Sequence, residues 1–182
     1  MIKTTKATKK KRRRSGFSLA EVLIAILIMA MVTTVVAGSI PAAINSYKKI
    51  TRQSNAQLLM STTVNTLRGW LDQAEIDADA TDNDTIVFSS AGIGTCRITV
   101  TDGASTGNGI WIEEYMDSSL SYPARLLVSE ASGGGDLYTV FGDASYDPSN
   151  GVISITGIYV KDAGGNTVLG PTSFSTKTLG IH

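Results

Sequence analysis

Hydrophobic and polar positions divide the chain into three stretches, each with its own period. From Val22 to Tyr47 no side chain is charged, and Val22 to Ile40 is an apolar run of 19 residues. As a helix this run measures about 28 Å at 1.5 Å per residue, close to the roughly 30 Å hydrocarbon thickness of a bilayer. Its Leu, Ile, Met and Ala residues favour helix, and lipid leaves a backbone no partner but its own. The pattern predicts a membrane-spanning helix.

Beyond Pro41 the period stays helical but becomes one-sided. Met60, Val64, Leu67, Leu71 and Ala74 fall on one stripe, preceded by the wet positions Lys48, Lys49, Arg52, Gln53 and Gln57. The stripe reads as core, with Trp70 at its border anchoring the helix to a partner sheet, and the helix is expected to run to about Ala74. Asp72, Glu75, Asp77 and Asp79 then mark an exit into an acidic loop. Near the outer end of the apolar run, Gly38 and Pro41 predict a kink, because Pro removes one helical hydrogen bond and crowds the preceding turn.

From residue 84 the period changes to two. Strands are predicted over 85–89, 96–101, 110–115, 125–129, 137–141 and 152–160, and a further strand or hairpin from Asn166. Gly-rich segments punctuate them, including 103–109, Gly133-Gly134-Gly135 and Gly164-Gly165. Strands that follow one another without helical patterns between them imply an antiparallel sheet. The expected fold class is α+β: a long N-terminal helix, half membrane-spanning and half amphipathic, packed on a small antiparallel β-sheet head. The domains are a basic leader (1–16), the long helix (17–76, with 17–40 as the transmembrane segment) and a β-rich head (77–182).

Charge sharpens this division. The chain carries 16 basic and 16 acidic residues, yet eight of the basic ones precede Gly16 and every acidic one lies at Glu21 or later. The basic leader directs the N-terminus to the cytoplasm and the remainder outward. The acidic body argues against nucleic acid as a direct ligand. Cys96 is the only cysteine, so no intrachain disulfide is possible, and a buried, inert thiol is expected.

Catalytic constellations are missing from the sequence. His182 is the only histidine and is terminal, so metal trios and Ser–His dyads have no members. Gly133-Gly134-Gly135 precedes Asp136 and a strand, which fails as a phosphate loop. Two acidic stretches have oxygen ligands in number: Asp143-x-Ser145-x-Asp147, and Asp77, Asp79, Asp82 and Asp84. The first lacks the glycine and the terminal bidentate glutamate of a calcium loop, and both read as solvated loops. No catalytic, cofactor-binding or metal-binding residue is expected.

Glu21 sits at the edge of the apolar run, where a carboxylate costs several kcal/mol unless it is paired or reaches the interface. A plain membrane anchor gives it no role beyond snorkelling. A secretory signal peptide cut after Val35-Val36-Ala37, with Gly38 as the new N-terminus, would carry it inside its hydrophobic region. The triple Arg12-Arg13-Arg14 matches a twin-arginine signal poorly, since Phe is misplaced relative to the pair.

Taken in order, Gly16-Phe17-Ser18-Leu19-Ala20-Glu21 after a basic leader, continued by Val22-Leu23-Ile24, resembles the processing signature of the type IV prepilin family. The resemblance covers roughly residues 8–50. It implies cleavage between Gly16 and Phe17 by a prepilin peptidase that also N-methylates Phe17, with Glu21 as the assembly residue that meets a neighbour's Phe17 ammonium. It implies bending at Gly38 and Pro41, and a structural, non-enzymatic subunit polymerised with other pilin subunits by a pilus assembly machinery. Such pili or pseudopili serve adhesion, motility, DNA uptake or protein secretion. The precursor would be a single-pass protein of the cytoplasmic membrane and the product a cell-surface filament. Two departures stand out: the leader is long, and the cysteine pair that closes a C-terminal loop in many pilins is absent. The alternative is an exported soluble β-domain, cut after Ala37 and acting as an extracellular binding module.

Overall fold

The computed structural model describes residues 16–103, 107–116, 119–128 and 136–178. The expectations placed on the leader before Gly16, on Gly133-Gly134-Gly135 and on His182 lie outside them. Among the described residues one helix, α1 (Leu19–Leu71), is followed by nine strands: β1 (Ala74–Ile76), β2 (Thr85–Ser90), β3 (Gly94–Thr101), β4 (Gly109–Met116), β5 (Ser119–Leu126), β6 (Leu137–Val140), β7 (Asp143–Asp147), β8 (Val152–Asp162) and β9 (Thr167–Lys177). The fold is α+β, a long helix with antiparallel sheets. The chain divides into two compact units, 1–47 and 48–182.

In the first unit every described side chain is exposed, including Leu23, Ile24, Leu27, Ile28, Val32 and Val36. This segment is long and apolar enough to cross a membrane. The three hydroxyls of the apolar run Val22–Ile40 are satisfied within the helix: Thr33 donates to the Met29 carbonyl at 2.7 Å, Thr34 to Met31 at 2.8 Å and Ser39 to Val36 at 3.0 Å. Back-bonding of this kind leaves no bare polar group on a surface meant for hydrocarbon.

In the second unit, the helix residues Ala56, Leu59, Met60, Thr63, Leu67 and Leu71 are buried. Met60, Leu67 and Leu71 were expected from the stripe, and Val64 is partly buried. Trp70 meets Phe88 of β2 edge-on, with ring centroids 6.2 Å apart, a geometry aromatic quadrupoles favour. The helix stops at Leu71, short of Ala74. Ala74 is buried as expected, but as the first residue of β1, where it pairs with Ser90 while Ile76 pairs with Phe88. The sheet edge takes these residues from the helix, because pairing satisfies their backbone while keeping Ala74 and Ile76 in the core.

Among its described residues the head holds two sheets where one was expected. The first is a meander in the order β1-β2-β3-β4-β5. Its inner face carries the cross-strand rows Ile86–Ile98–Ile112 and Phe88–Cys96–Glu114, all buried. In the second sheet, β6 and β7 lie end to end along one edge of β8, Val140 pairing with Tyr159 and Asp143 with Thr156, and β9 takes the other edge. Gly157 occupies the break with φ 65°, and a Cβ there would come within 3.5 Å of the Gly142 nitrogen. Only glycine meets both demands cheaply.

The expected strand over 125–129 begins earlier, at Ser119, and ends at Leu126. Asp143–Asp147, expected as a loop, is β7; Ala144 is buried among apolar neighbours and its N–H donates to the Asn83 carbonyl at 3.1 Å. The Thr63 hydroxyl donates to Thr139 Oγ1 of β6 at 3.1 Å inside the core, which ties α1 to the second sheet without stranding a polar group.

Candidate functional site

The site begins where α1 begins. Gly16, Phe17 and Ser18 precede the helix in non-helical backbone. Ser18 is the N-cap: its carbonyl accepts the Val22 N–H at 3.3 Å, and its hydroxyl accepts the Glu21 N–H at 3.2 Å. The Glu21 carboxylate reaches back, and its Oε2 accepts the Ser18 N–H at 2.9 Å. Two amides that a helix leaves unpaired are thereby satisfied reciprocally, as in a capping box. The carboxylate also lies in the first turn, where the helix dipole favours negative charge.

Glu21 is therefore not a bare carboxylate, as the argument from its cost in hydrocarbon assumed. Ser18 is the residue that the sequence reading passed over, although Ser-x-x-Glu ahead of an apolar run is the sequence signature of this cap. Phe17 is 86% exposed and two residues outside the helix. Its backbone can be reached without unwinding a helical turn.

Gly38 and Pro41 both lie within α1, which runs through them as a single element. Pro41 has no N–H to offer the Ala37 carbonyl one turn earlier. The bond between Ala37 and Gly38 also lies within this helix.

The acidic stretches of the head are engaged with their own loops. Asp143, Ser145 and Asp147 alternate along β7, so they project to one side and do not converge. Asp147 accepts the Ser149 N–H at 2.9 Å and Asn150 Nδ2 at 2.6 Å. Asp77 Oδ1 accepts the Asp79 and Ala80 N–H groups at 3.1 and 3.2 Å. Among the described residues no three His, Cys, Asp or Glu side chains are grouped to share an ion. Cys96 is fully buried. Burial, and after it the Glu114 carboxylate, push its thiol above the ordinary value, with Arg125 acting in the opposite sense.

Charged pairs tie the elements of the head together. Arg52 of α1 donates to Asp162 Oδ2 at 2.9 Å, at the β8–β9 turn. Asp102, just after β3, pairs with Lys161 of β8 and accepts the Tyr138 hydroxyl at 3.2 Å. Arg97, Glu113 and Tyr115 share the outer face of the first sheet. There the Tyr115 hydroxyl donates to Glu113 Oε2 at 2.7 Å and the Arg97 guanidinium stands 5.3 Å from the Tyr115 ring centroid.

The hydrogen bond from Lys161 is the chief cause that holds the Asp102 carboxyl below its ordinary 3.8. A carboxylate depressed in the folded state stabilises above its unfolded value and loses that contribution as pH falls through its folded one. We expect the urea midpoint of the detergent-solubilised chain to fall as pH is lowered below about 4, and Asp102→Asn to make that decline shallower. An unchanged slope in Asp102→Asn would leave the Lys161 pair without influence on stability.

Residues 11–37 match the family model for the prokaryotic N-terminal methylation motif. No curated protein and no solved structure matches the chain. The motif is the type IV prepilin-like signal, and it spans the Gly16–Phe17 junction, the Ser18–Glu21 cap and most of the apolar run. The chain thus carries the N-terminal signal of type IV pilin- and pseudopilin-type precursors, a signal that indicates processing by prepilin peptidase and assembly with other subunits.

Proposed function

We propose that the chain is a structural subunit of a type IV pilus-like or pseudopilus filament. Prepilin peptidase cuts between Gly16 and Phe17 on the cytoplasmic side and methylates the new Phe17 amine. The mature chain waits in the cytoplasmic membrane, anchored by the first part of α1, and is drawn by the assembly machinery into a surface filament. There Glu21 pairs with the Phe17 ammonium of a neighbouring subunit, so that both charges leave the lipid neutralised.

The single observation that carries this reading is the methylation motif over residues 11–37. The non-helical Gly16–Phe17 junction directly ahead of an exposed apolar helix supports it. Gly38 and Pro41 enter as the point where α1 yields during assembly, since the Ala37 carbonyl lacks its helical partner. The competing exported domain requires cleavage after Ala37, a bond held inside a continuous helix, which disfavours it.

Mass spectrometry of the mature chain tests the proposal. The expected N-terminus is a methylated Phe17; a chain beginning at Gly38 would replace this reading with the soluble binding module.

A further inference from the structure

The Ser18–Glu21 box also fixes where α1 begins relative to the bond that is cut. A peptidase binds its substrate with an extended backbone, whose N–H and C=O groups are free to pair with the enzyme. In the first turn of a helix the N–H groups stay free, but the C=O groups are consumed by bonds to residues four positions on and the backbone is no longer extended. The helix here stops two residues after the Gly16–Phe17 bond, and the two hydrogen bonds of the box hold it there.

Without the Ser18 side chain the nearest upstream capping residue is Ser15. A helix capped there would take Gly16 and Phe17 into its first turn. Gly16 resists helix by about 1 kcal/mol relative to Ala, but an alanine at position 18 favours propagation. We infer that Ser18 is a positioning residue for prepilin processing, one that keeps the scissile bond outside the helix. This inference rests on the function proposed above and goes beyond it in naming what presents the bond.

The test compares initial processing rates of the full-length precursor and its variants in membranes containing prepilin peptidase. Ser18→Ala is expected to be cut roughly three- to tenfold more slowly, the range that loss of an N-cap supports. Ser18→Asn, a different side chain that caps as well, is expected to stay within about twofold of the parent rate. In the detergent-solubilised precursor, the backbone carbon shifts of Gly16 and Phe17 should move toward helical values in Ser18→Ala and not in Ser18→Asn.

Cleavage of Ser18→Ala at the parent rate would overturn the inference. So would equal slowing of the alanine and asparagine variants, which would mean that the enzyme reads serine itself. If the parent chain is not cut between Gly16 and Phe17, the proposed function fails and this inference with it. Parent cleavage at that bond with an indifferent Ser18→Ala sinks the inference alone.

Discussion

Glu21→Ala is expected to yield a precursor that is still processed but whose product is excluded from filaments. The substitution removes the carboxylate proposed to meet a neighbour's Phe17 ammonium and leaves that ammonium unpaired in an apolar setting. Removing one partner of a buried pair costs about 3–5 kcal/mol, which corresponds to more than about a hundredfold loss of incorporation. The capping role complicates this expectation, because Glu21 also accepts the Ser18 N–H. Glu21→Gln separates the two roles, since glutamine serves the third helical position of a capping box but carries no charge. Both variants should accumulate as mature chain in the membrane and be nearly absent from sheared filaments. Incorporation of Glu21→Gln at the parent level would reduce Glu21 to a capping residue.

Leu67→Ala is expected to destabilise the head by about 2–5 kcal/mol. Leu67 is fully buried on the face of α1 that packs into the core, and it belongs to the same hydrophobic cluster as Phe88, Ile98 and Ile155. Alanine there loses the burial of a large apolar side chain and leaves a cavity that rigid sheet neighbours fill poorly. Leu58 is 59% exposed on the same helix, so Leu58→Ala should change stability by no more than about 0.5 kcal/mol. Urea unfolding of the detergent-solubilised chains compares the two. Equal effects would mean that the helix is not held to the head by this stripe.

The sequence was most legible where one period dominates. An uncharged run leaves a single assignment, and Met60, Leu67 and Leu71 are buried on the helix face that their spacing selects. The strands over 85–90, 94–101, 109–116 and 152–162 follow their alternation in the same way. At the N-terminus the resemblance rests on a short, contiguous motif, and the family match falls on those residues. The role of Ser18 is legible too, because a capping box is local: Ser-x-x-Glu ahead of an apolar run needs no distant partner.

Other features depend on partners far along the chain. Asp143–Asp147 looks like a solvated acidic loop because its alternate positions are Asp, Ser and Asp. It becomes a strand because β8 offers a free edge and Ala144 fits the core between them. Ala74–Ile76 leaves the helix for the edge of β2 by the same logic. Local propensity is worth tenths of a kcal/mol per residue, whereas satisfying a buried backbone group and covering an apolar side chain are each worth more.

The sequence by itself thus determined the membrane-length helix, the N-terminal methylation motif and the helix-plus-sheet class, because each is written in neighbouring residues or in a single period. Only the tertiary structure decided that the head is two sheets, that α1 ends at Leu71, and that Thr63 meets Thr139 in the core. Those outcomes turn on which distant backbone edges and side chains meet, and no local pattern encodes that meeting.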